Sequence, residues 1–463
     1  MKEPIISVSG LRGVIGESLT PDLAMRFACA FASGLPEGPV VITRDGRASG
    51  ALLAEAVRAG LCAVGRSVLD AGIAATPTTG VLVRQLAAAG GIQISASHNP
   101  APYNGIKLFH ASGQVLDAAA GEEVVRRFRE ASIAWADHAH LGAWQACPDT
   151  VRKHLELVLA TVDRQRIRER KYRVLLDANF GAGSLLGRPL LESLGCSLTL
   201  LGGEPTGRFA HLPEPTLENL AGVQQQVRDA QADIGFCQDP DADRLAVIDE
   251  TGRYIGEEYT LALCLDHVLR ARRGPVATNC STSRMSEDLC RRYGVPLHRS
   301  PVGEANVVAV MRRENAVFGG EGNGGPIDPR VGYVRDSFVG MALILDAMAA
   351  RGMKVSQLAG ELPRYAIWKD KLPLPPDRVA AALNALEQRF SEASSSRMDG
   401  LRLDWPDRWL LVRASNTEPI VRVVAEAPSA AEAQALCGLA KSTIELLDAP
   451  RARTGMNPPQ HSR

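Results

Sequence analysis

Apolar and polar positions follow a recurring layout along the chain. A short β-branched run stops abruptly in a polar or Gly-rich loop, and a helix-period segment follows. Pro39-Val40-Val41-Ile42-Thr43 runs into Arg44-Asp45-Gly46-Arg47, and Tyr172-Arg173-Val174-Leu175-Leu176 runs into Asp177-Ala178-Asn179-Phe180-Gly181-Ala182-Gly183. Pro275-Val276-Ala277-Thr278-Asn279 runs into Cys280-Ser281-Thr282-Ser283 in the same way. Short continuous strands alternating with helices predict α/β units whose sheets are covered on both faces. The three openings predict three α/β domains of similar plan. The end of the chain differs: Arg408–Arg413 and Ile420–Glu426 read as strands flanking a polar loop, with a helix period from Ala430 to Leu447. That predicts a small α+β domain from about 368, entered through Asp370-Lys371-Leu372-Pro373-Leu374-Pro375-Pro376 as a linker or edge strand. Arg451 to Arg463 reads as a loose tail. The expected divisions are 1–150, 151–252, 253–367 and 368–463.

Composition narrows the class. The chain has 463 residues, 45% hydrophobic and 22% charged, as expected of globular material in several domains. Lys plus Arg and Asp plus Glu each total 52, so no net field steers the chain onto nucleic acid or an anionic membrane. No apolar stretch reaches the roughly 18 residues of a spanning helix. Met1-Lys2-Glu3-Pro4-Ile5-Ile6 offers no signal-peptide core, and a cytoplasmic location is expected. Nine scattered cysteines without a C-x-x-C read as free thiols. His138-Ala139-His140 lacks the further ligands a soft-metal site needs.

Four polar loops follow predicted strands, where open α/β sheets place ligands. Ser95-Ala96-Ser97-His98-Asn99-Pro100 leads to Tyr103-Asn104-Gly105-Ile106-Lys107. Ser97 is a candidate nucleophile and Lys107 a candidate proton-transfer group, against the plainer reading of a Ser/Asn/Pro turn. No G-x-S-x-G surrounds Ser97, so a hydrolase elbow is unsupported. Asp239-Pro240-Asp241-Ala242-Asp243-Arg244 places carboxylates at alternate positions, able to converge on a hard cation such as Mg²⁺. A calcium helix-loop-helix would also count carboxylates at Asp239, Asp241, Asp243 and Glu250. Its sixth position, however, is Arg244 rather than Gly, and a strand follows. Phe318-Gly319-Gly320-Glu321-Gly322-Asn323-Gly324-Gly325-Pro326 lets backbone approach a ligand closely and offers Glu321 and Asn323 to hydroxyls. Arg413-Ala414-Ser415-Asn416-Thr417-Glu418-Pro419 suits a phosphate dianion, and its plain alternative is a hairpin turn. Gly181-Ala182-Gly183 lacks the full G-x-G-x-x-G and reads as helix N-terminal packing.

Taken in order, these four loops resemble the phosphoserine, metal, sugar-reading and phosphate-binding loops of the α-D-phosphohexomutase family. Ser9-Gly10-Leu11-Arg12-Gly13 is similar to that family's N-terminal Gly-Ile-Arg-Gly segment. The resemblance implies an α/β protein, with three similar α/β domains plus a smaller C-terminal α+β domain around a central cleft. It implies that Ser97 carries a phosphoryl group, with Lys107 and Arg244 assisting its transfer. Asp239, Asp241 and Asp243, with Ser97, would hold Mg²⁺. Arg12, His98, Glu321, Asn323, Arg413, Ser415, Asn416 and Thr417 would bind the sugar phosphate. The resemblance further implies a hexose 1,6-bisphosphate as intermediate and activator, and a monomer or homodimer acting on hexose phosphates. Gly-Glu-Gly-Asn-Gly-Gly with Tyr333-Val334-Arg335-Asp336, and Pro213 to Leu220, look more like phosphoglucosamine mutases of the archaeal type. Two competing readings are a phosphomannomutase/phosphoglucomutase of the same family and a non-catalytic sensor binding metal and sugar phosphate. A sensor has no need of a phosphorylatable serine.

Overall fold

Each predicted opening is an inner strand of a sheet, and the three sheets share one plan. Val40–Arg44 lies between parallel neighbours Val68–Ile73 and Gly90–Ile94, and Gly90–Ile94 turns back antiparallel through Tyr103–His110. Arg173–Asp177 lies between Ser197–Leu201 and Ile234–Gln238, and Ile234–Gln238 turns back through Leu245–Asp249. Val276–Asn279 lies between Leu297–Ser300 and Phe318–Glu321, and Phe318–Glu321 turns back through Gly325–Ile327. Two N-terminal strands and Trp144–Ala146 widen the first sheet to seven strands. These are observations on a computed structural model that describes residues 3–7, 10–131, 133–415 and 419–448.

Parallel pairing requires crossovers, and the helices that supply them cover the sheets. Gly90–Ile94 and Ile234–Gln238 are accordingly buried along their whole length. The antiparallel last strand leaves a hairpin loop at the carboxyl end of the parallel strands. In chain order these hairpins are 95–102, 239–244 and 322–324. Three of the four candidate loops are therefore the same element of the same plan, occurring once in each sheet.

A second shared feature sits at the end of each of these opening strands. Asp45 accepts the Arg47 N–H at 2.9 Å, Asp177 the Asn179 N–H at 3.0 Å, and Asn279 the Ser281 N–H at 2.9 Å. The remaining polar atom of each side chain then reaches a loop or, for Asn279, the last residue of the strand before one. Asp45 accepts from Ser95 Oγ at 2.7 Å, Asn279 donates to Glu321 at 2.7 Å, and Asp177 pairs with His211 Nε2 at 2.8 Å.

Residues Met1–Pro363 form one unit and Arg364–Arg463 a second. The second unit is a five-stranded antiparallel sheet with Ala366–Pro373 at one edge and Ser394–Ser396 at the other. Helices Pro376–Arg389 and Ala430–Asp448 pack on it around Leu386, Leu401, Val412 and Ile444. Its edge strand ends at Pro373, where a missing N–H costs no ladder bond. All nine cysteines are free. Among the described residues no helix is long and apolar enough to cross a membrane.

Two predictions follow from these contacts. Gly324 holds a left-handed φ of +81°, its carbonyl accepts the Leu245 N–H at 2.9 Å, and a Cβ there would overlap the Leu245 carbonyl. Gly324→Ala should lower unfolding free energy by about 2 kcal/mol or more in urea titrations, since backbone strain and overlap act together. Burial opposes the His211 imidazolium, but the Asp177 hydrogen bond and charge prevail and raise its pKa above 6.5. That contribution is complete below the unfolded-state pKa and fades as pH rises through the folded value. His211→Asn should therefore lower the urea midpoint more at about pH 5.5 than at about pH 9, and equal losses would exclude a role for the charge.

Candidate active site

The phosphoserine-like loop is organised from behind by a buried arginine. Arg47 donates to the carbonyls of Ser97 and Asn99 at 2.6 Å, Pro100 at 2.9 Å and Tyr103 at 3.0 Å. Its Nε pairs with Asp45 at 3.1 Å, and its guanidinium lies 5.0 Å from the Phe209 ring centre. The chain runs on from Asp45 to Ser95 Oγ, which accepts the Ser97 N–H at 2.9 Å. This scaffold holds Ser97 at a left-handed φ of 50°, a conformation costing a non-glycine residue roughly 1–2 kcal/mol. The Ser97 hydroxyl is thereby turned to donate to Asp239 Oδ2 at 2.8 Å.

The metal-like loop lies between the antiparallel strands Ile234–Gln238 and Leu245–Asp249, which rules out the flanking helices of a calcium hand. Ala242, with φ 56°, folds the loop back, its N–H bonding the Asp239 carbonyl at 2.9 Å. Asp239, Asp241 and Asp243 are fully buried, and one oxygen from each lies within 4.8 Å of the others. Lys107 Nζ, from the first sheet, meets Asp241 at 2.5 Å and Asp243 at 2.9 Å. Arg335, leading into the helix Ser337–Arg351 beside the third sheet, meets Asp243 at 2.7 Å. Thr76 donates from both its hydroxyl and its N–H to Asp241.

Burial and neighbouring charge together set the protonation pattern. Burial works against ionised Asp243, but Arg335, Lys107 and Arg244 outweigh it and hold its pKa below the usual range. Burial and then the charges of Asp243 and Asp241 push Asp239 well above that range. Burial likewise disfavours the Lys107 ammonium, yet Asp241 and Asp243 raise its pKa above 10.5. His98 is driven down to about 2 by burial and by the charges of Arg244 and Arg12, so its ring is neutral. Its Nδ1 lies 3.4 Å from Ser97 Oγ. Arg12 is held lower than an ordinary guanidinium, by burial first and also by the charges of Arg244 and Arg47.

The carboxylates fit a hard cation. Asp241 Oδ1 and Asp243 Oδ1 are buried without a hydrogen-bond partner, which is costly for anionic oxygen unless a cation takes it up. Among the described residues this is the only such group of acidic, His or Cys side chains, and it does not include His138 or His140.

The sugar-like loop joins the same cluster. Glu321 accepts from Asn279 at 2.7 Å and from the Gly303 N–H at 3.2 Å, and pairs with Arg335 at 2.8 Å. Asn323 Nδ2 stands 3.4 Å from Glu321, while its Oδ1 is buried without a partner. The glycine at 324 approaches the Leu245 backbone rather than open space, so it seals the sugar-like loop to the metal-like loop.

Ser97, His98, Lys107, Asp239, Asp241, Asp243 and Arg244 thus share one charge cluster, with Arg12 inside its field. Glu321 and Asn323 reach it through Arg335. Arg413 and Ser415 belong to the second unit, where Arg413 pairs with Asp399 at 3.1 Å and the Ser415 N–H bonds the Ile420 carbonyl. Asn416 and Thr417 lie outside the described residues. Sequence reasoning missed Arg47, Thr76 and Arg335 as parts of the site. Arg47 had a signal, since it stands in a polar loop closing a predicted strand.

Four profiles of the phosphoglucomutase/phosphomannomutase family match the chain: α/β/α domain I at residues 4–134, domain II at 152–252, domain III at 257–365 and the C-terminal domain at 371–438. The chain belongs to that family, the α-D-phosphohexomutases, and its class is that of a phosphohexomutase. It is 36% identical over 454 residues to a "phosphoglucomutase/phosphomannomutase" of Thermococcus kodakarensis, covering 94% of this chain and 97% of the other. It is 33% identical over 442 residues to a "probable phosphoglucosamine mutase" of the same organism, at the same coverage. Among solved structures, a phosphoglucomutase/phosphomannomutase family protein of Burkholderia thailandensis superposes with a TM-score of 0.85 at 27% identity, covering 96% of this chain and 98% of that one.

The Lys107 contacts yield a prediction. Lys107→Met leaves two buried aspartates without their ammonium, so metal-free stability should fall by about 3–5 kcal/mol in denaturant titrations. Added Mg²⁺ should then raise the melting temperature of the variant more than that of the wild type. A smaller rise would show that Lys107 and the cation do not share these oxygens.

Proposed function

We propose that the protein interconverts glucosamine 6-phosphate and glucosamine 1-phosphate through a phosphoserine at Ser97 and a bound 1,6-bisphosphate. The observation that carries the chemistry is the Ser97 hydroxyl, 2.8 Å from a buried aspartate of the three-carboxylate group. Phosphoryl transfer needs little covalent help from a protein and much positioning and charge compensation. The free hydroxyl of the sugar monophosphate bonds to phosphorus as the bond to Ser97 Oγ breaks, and the proton that hydroxyl loses ends on the departing Ser97 Oγ. The bisphosphate then turns round and returns its other phosphoryl group to Ser97.

Asp239, Asp241 and Asp243 would hold Mg²⁺, which supplies positive charge to offset that of the migrating phosphoryl group. Lys107 keeps a proton at Nζ and compensates Asp241 and Asp243, and Arg244 and Arg12 contribute further positive charge. Neutral His98 can donate or accept a hydrogen bond beside Ser97 without adding charge. Glu321 and Asn323 take sugar hydroxyls. For the second unit we assign the grip on the non-reacting phosphate to Arg413, Ser415, Asn416 and Thr417. The four domains are assigned limits of 1–150, 151–252, 253–367 and 368–463.

The glucosamine preference is supported by the Gly-Glu-Gly-Asn-Gly-Gly loop and by the 33% identity to a relative named a probable phosphoglucosamine mutase. A phosphoglucomutase/phosphomannomutase is the second reading, favoured by the 36% identity to a relative of that name. Turnover of glucosamine, glucose and mannose phosphates, compared with Mg²⁺ and the matching bisphosphate, separates the two. Intact mass should show a phosphate of about 80 Da that disappears in Ser97→Ala together with all turnover. Turnover surviving in that variant would refute the mechanism.

A further inference from the structure

Arg335 stands at a junction that neither the metal-like nor the sugar-like loop makes by itself. Its side chain is 10% exposed, and carboxylates from three segments face it. Nη2 is 2.7 Å from Asp243 in the loop of the second sheet, and Nη1 is 2.8 Å from Glu321 in the third. Nε lies 3.3 Å from Glu304, the first residue of the helix Glu304–Arg313. The other Glu304 oxygen accepts the Arg335 N–H at 2.7 Å, so the backbone is pinned as well. The next residue, Asp336, caps the helix Ser337–Arg351 and pairs with His154 at 2.7 Å, which holds this segment from the other side.

Three buried carboxylates around one point repel one another unless a cation lies between them. A guanidinium does more than neutralise: its planar fork sets the distance and angle between the groups it bridges, whereas an ammonium is a point charge. Asp243 and Glu321 are thus held apart by the width of one guanidinium. The metal-like loop also faces Ser97 through Asp239, and Glu321 is the group offered to sugar hydroxyls.

We propose that Arg335 is a positioning residue that makes the phosphoryl-transfer end and the sugar-holding end one rigid frame. It sets the distance at which a sugar hydroxyl is delivered to the phosphoryl group on Ser97. The proposal rests on the mutase reading above. It predicts a loss of rate rather than of affinity, because a displacement of about 1 Å at the reacting atoms costs about a hundredfold.

The test compares Arg335→Lys and Arg335→Gln with the wild type, using the preferred hexose phosphate with Mg²⁺ and bisphosphate. Expected is a fall of about a hundredfold in kcat for both variants, with KM changed much less and the Ser97 phosphate retained; the melting temperature should hold in Arg335→Lys and fall in Arg335→Gln, which leaves Asp243 and Glu321 without their cation. Arg335→Lys should not recover the rate, whereas guanidinium ion at millimolar concentration should partly restore Arg335→Ala. Recovery by Arg335→Lys would reduce Arg335 to a charge and overturn the proposal. So would a rise in KM alone, an unchanged kcat, or a rate loss matching the unfolded fraction. Should Arg335→Gln fail to fold, Arg335→Lys decides by the same criteria. No turnover by the wild type on any of the three hexose phosphates would instead sink the mutase reading, and this role with it.

Discussion

Three aspartates removed from water are the constraint around which the first unit is arranged. Burying carboxylates is costly, and burying them side by side more so, unless cations and donors are brought to them. No single sheet supplies what is needed. Asp239, Asp241 and Asp243 come from the second sheet, Lys107 from the first, and Arg335 from the segment that follows the third. Thr76, at the start of a helix covering the first sheet, bonds Asp241, while Thr78 and Asp336 bond opposite nitrogens of the buried His154. The polar network that compensates the acidic loop is therefore the network that joins the three sheets. Loss of one member would leave an unpaired buried charge and loosen the junction together.

One topological device places the chemistry. A parallel pair followed by an antiparallel return puts a hairpin at the carboxyl end of each sheet, and the three hairpins carry different side chains on the same support. The first is long and takes its shape from outside, through Arg47 bonding four carbonyls. The second folds on itself through Ala242 and its own aspartates. The third is so short that Gly324 must take a positive φ and press against Leu245. The Asx turns at Asp45, Asp177 and Asn279 add a second layer common to all three sheets.

Much of this could be read along the chain, because the information was local. A β-branched run ending in a polar loop is a strand end wherever it occurs, so the openings at Val40, Arg173 and Val276 and the hairpin around Asp241 were visible as patterns. Alternate carboxylates in a turn between strands likewise declare an affinity for cations. The glycines of the sugar-like loop were visible too, but their purpose was not. Gly324 admits the Leu245 backbone, while Gly322 and Gly325 admit the side chains of Glu258 and Arg335, and nothing near them in sequence says that these groups lie there.

Local spacing determined which segments are strands, which loops follow them and which residues bring hydroxyl, carboxylate and guanidinium groups into those loops, since period and turn chemistry act over a few residues. Tertiary structure decided the rest: that Lys107 and Arg335 neutralise aspartates more than ninety positions away from one of them, that Arg47 holds a loop fifty residues on, and that Arg413 is tied to Asp399. The physical reason is that compensation of a buried charge depends on distance in space, and separation along a folded chain carries almost no record of that distance.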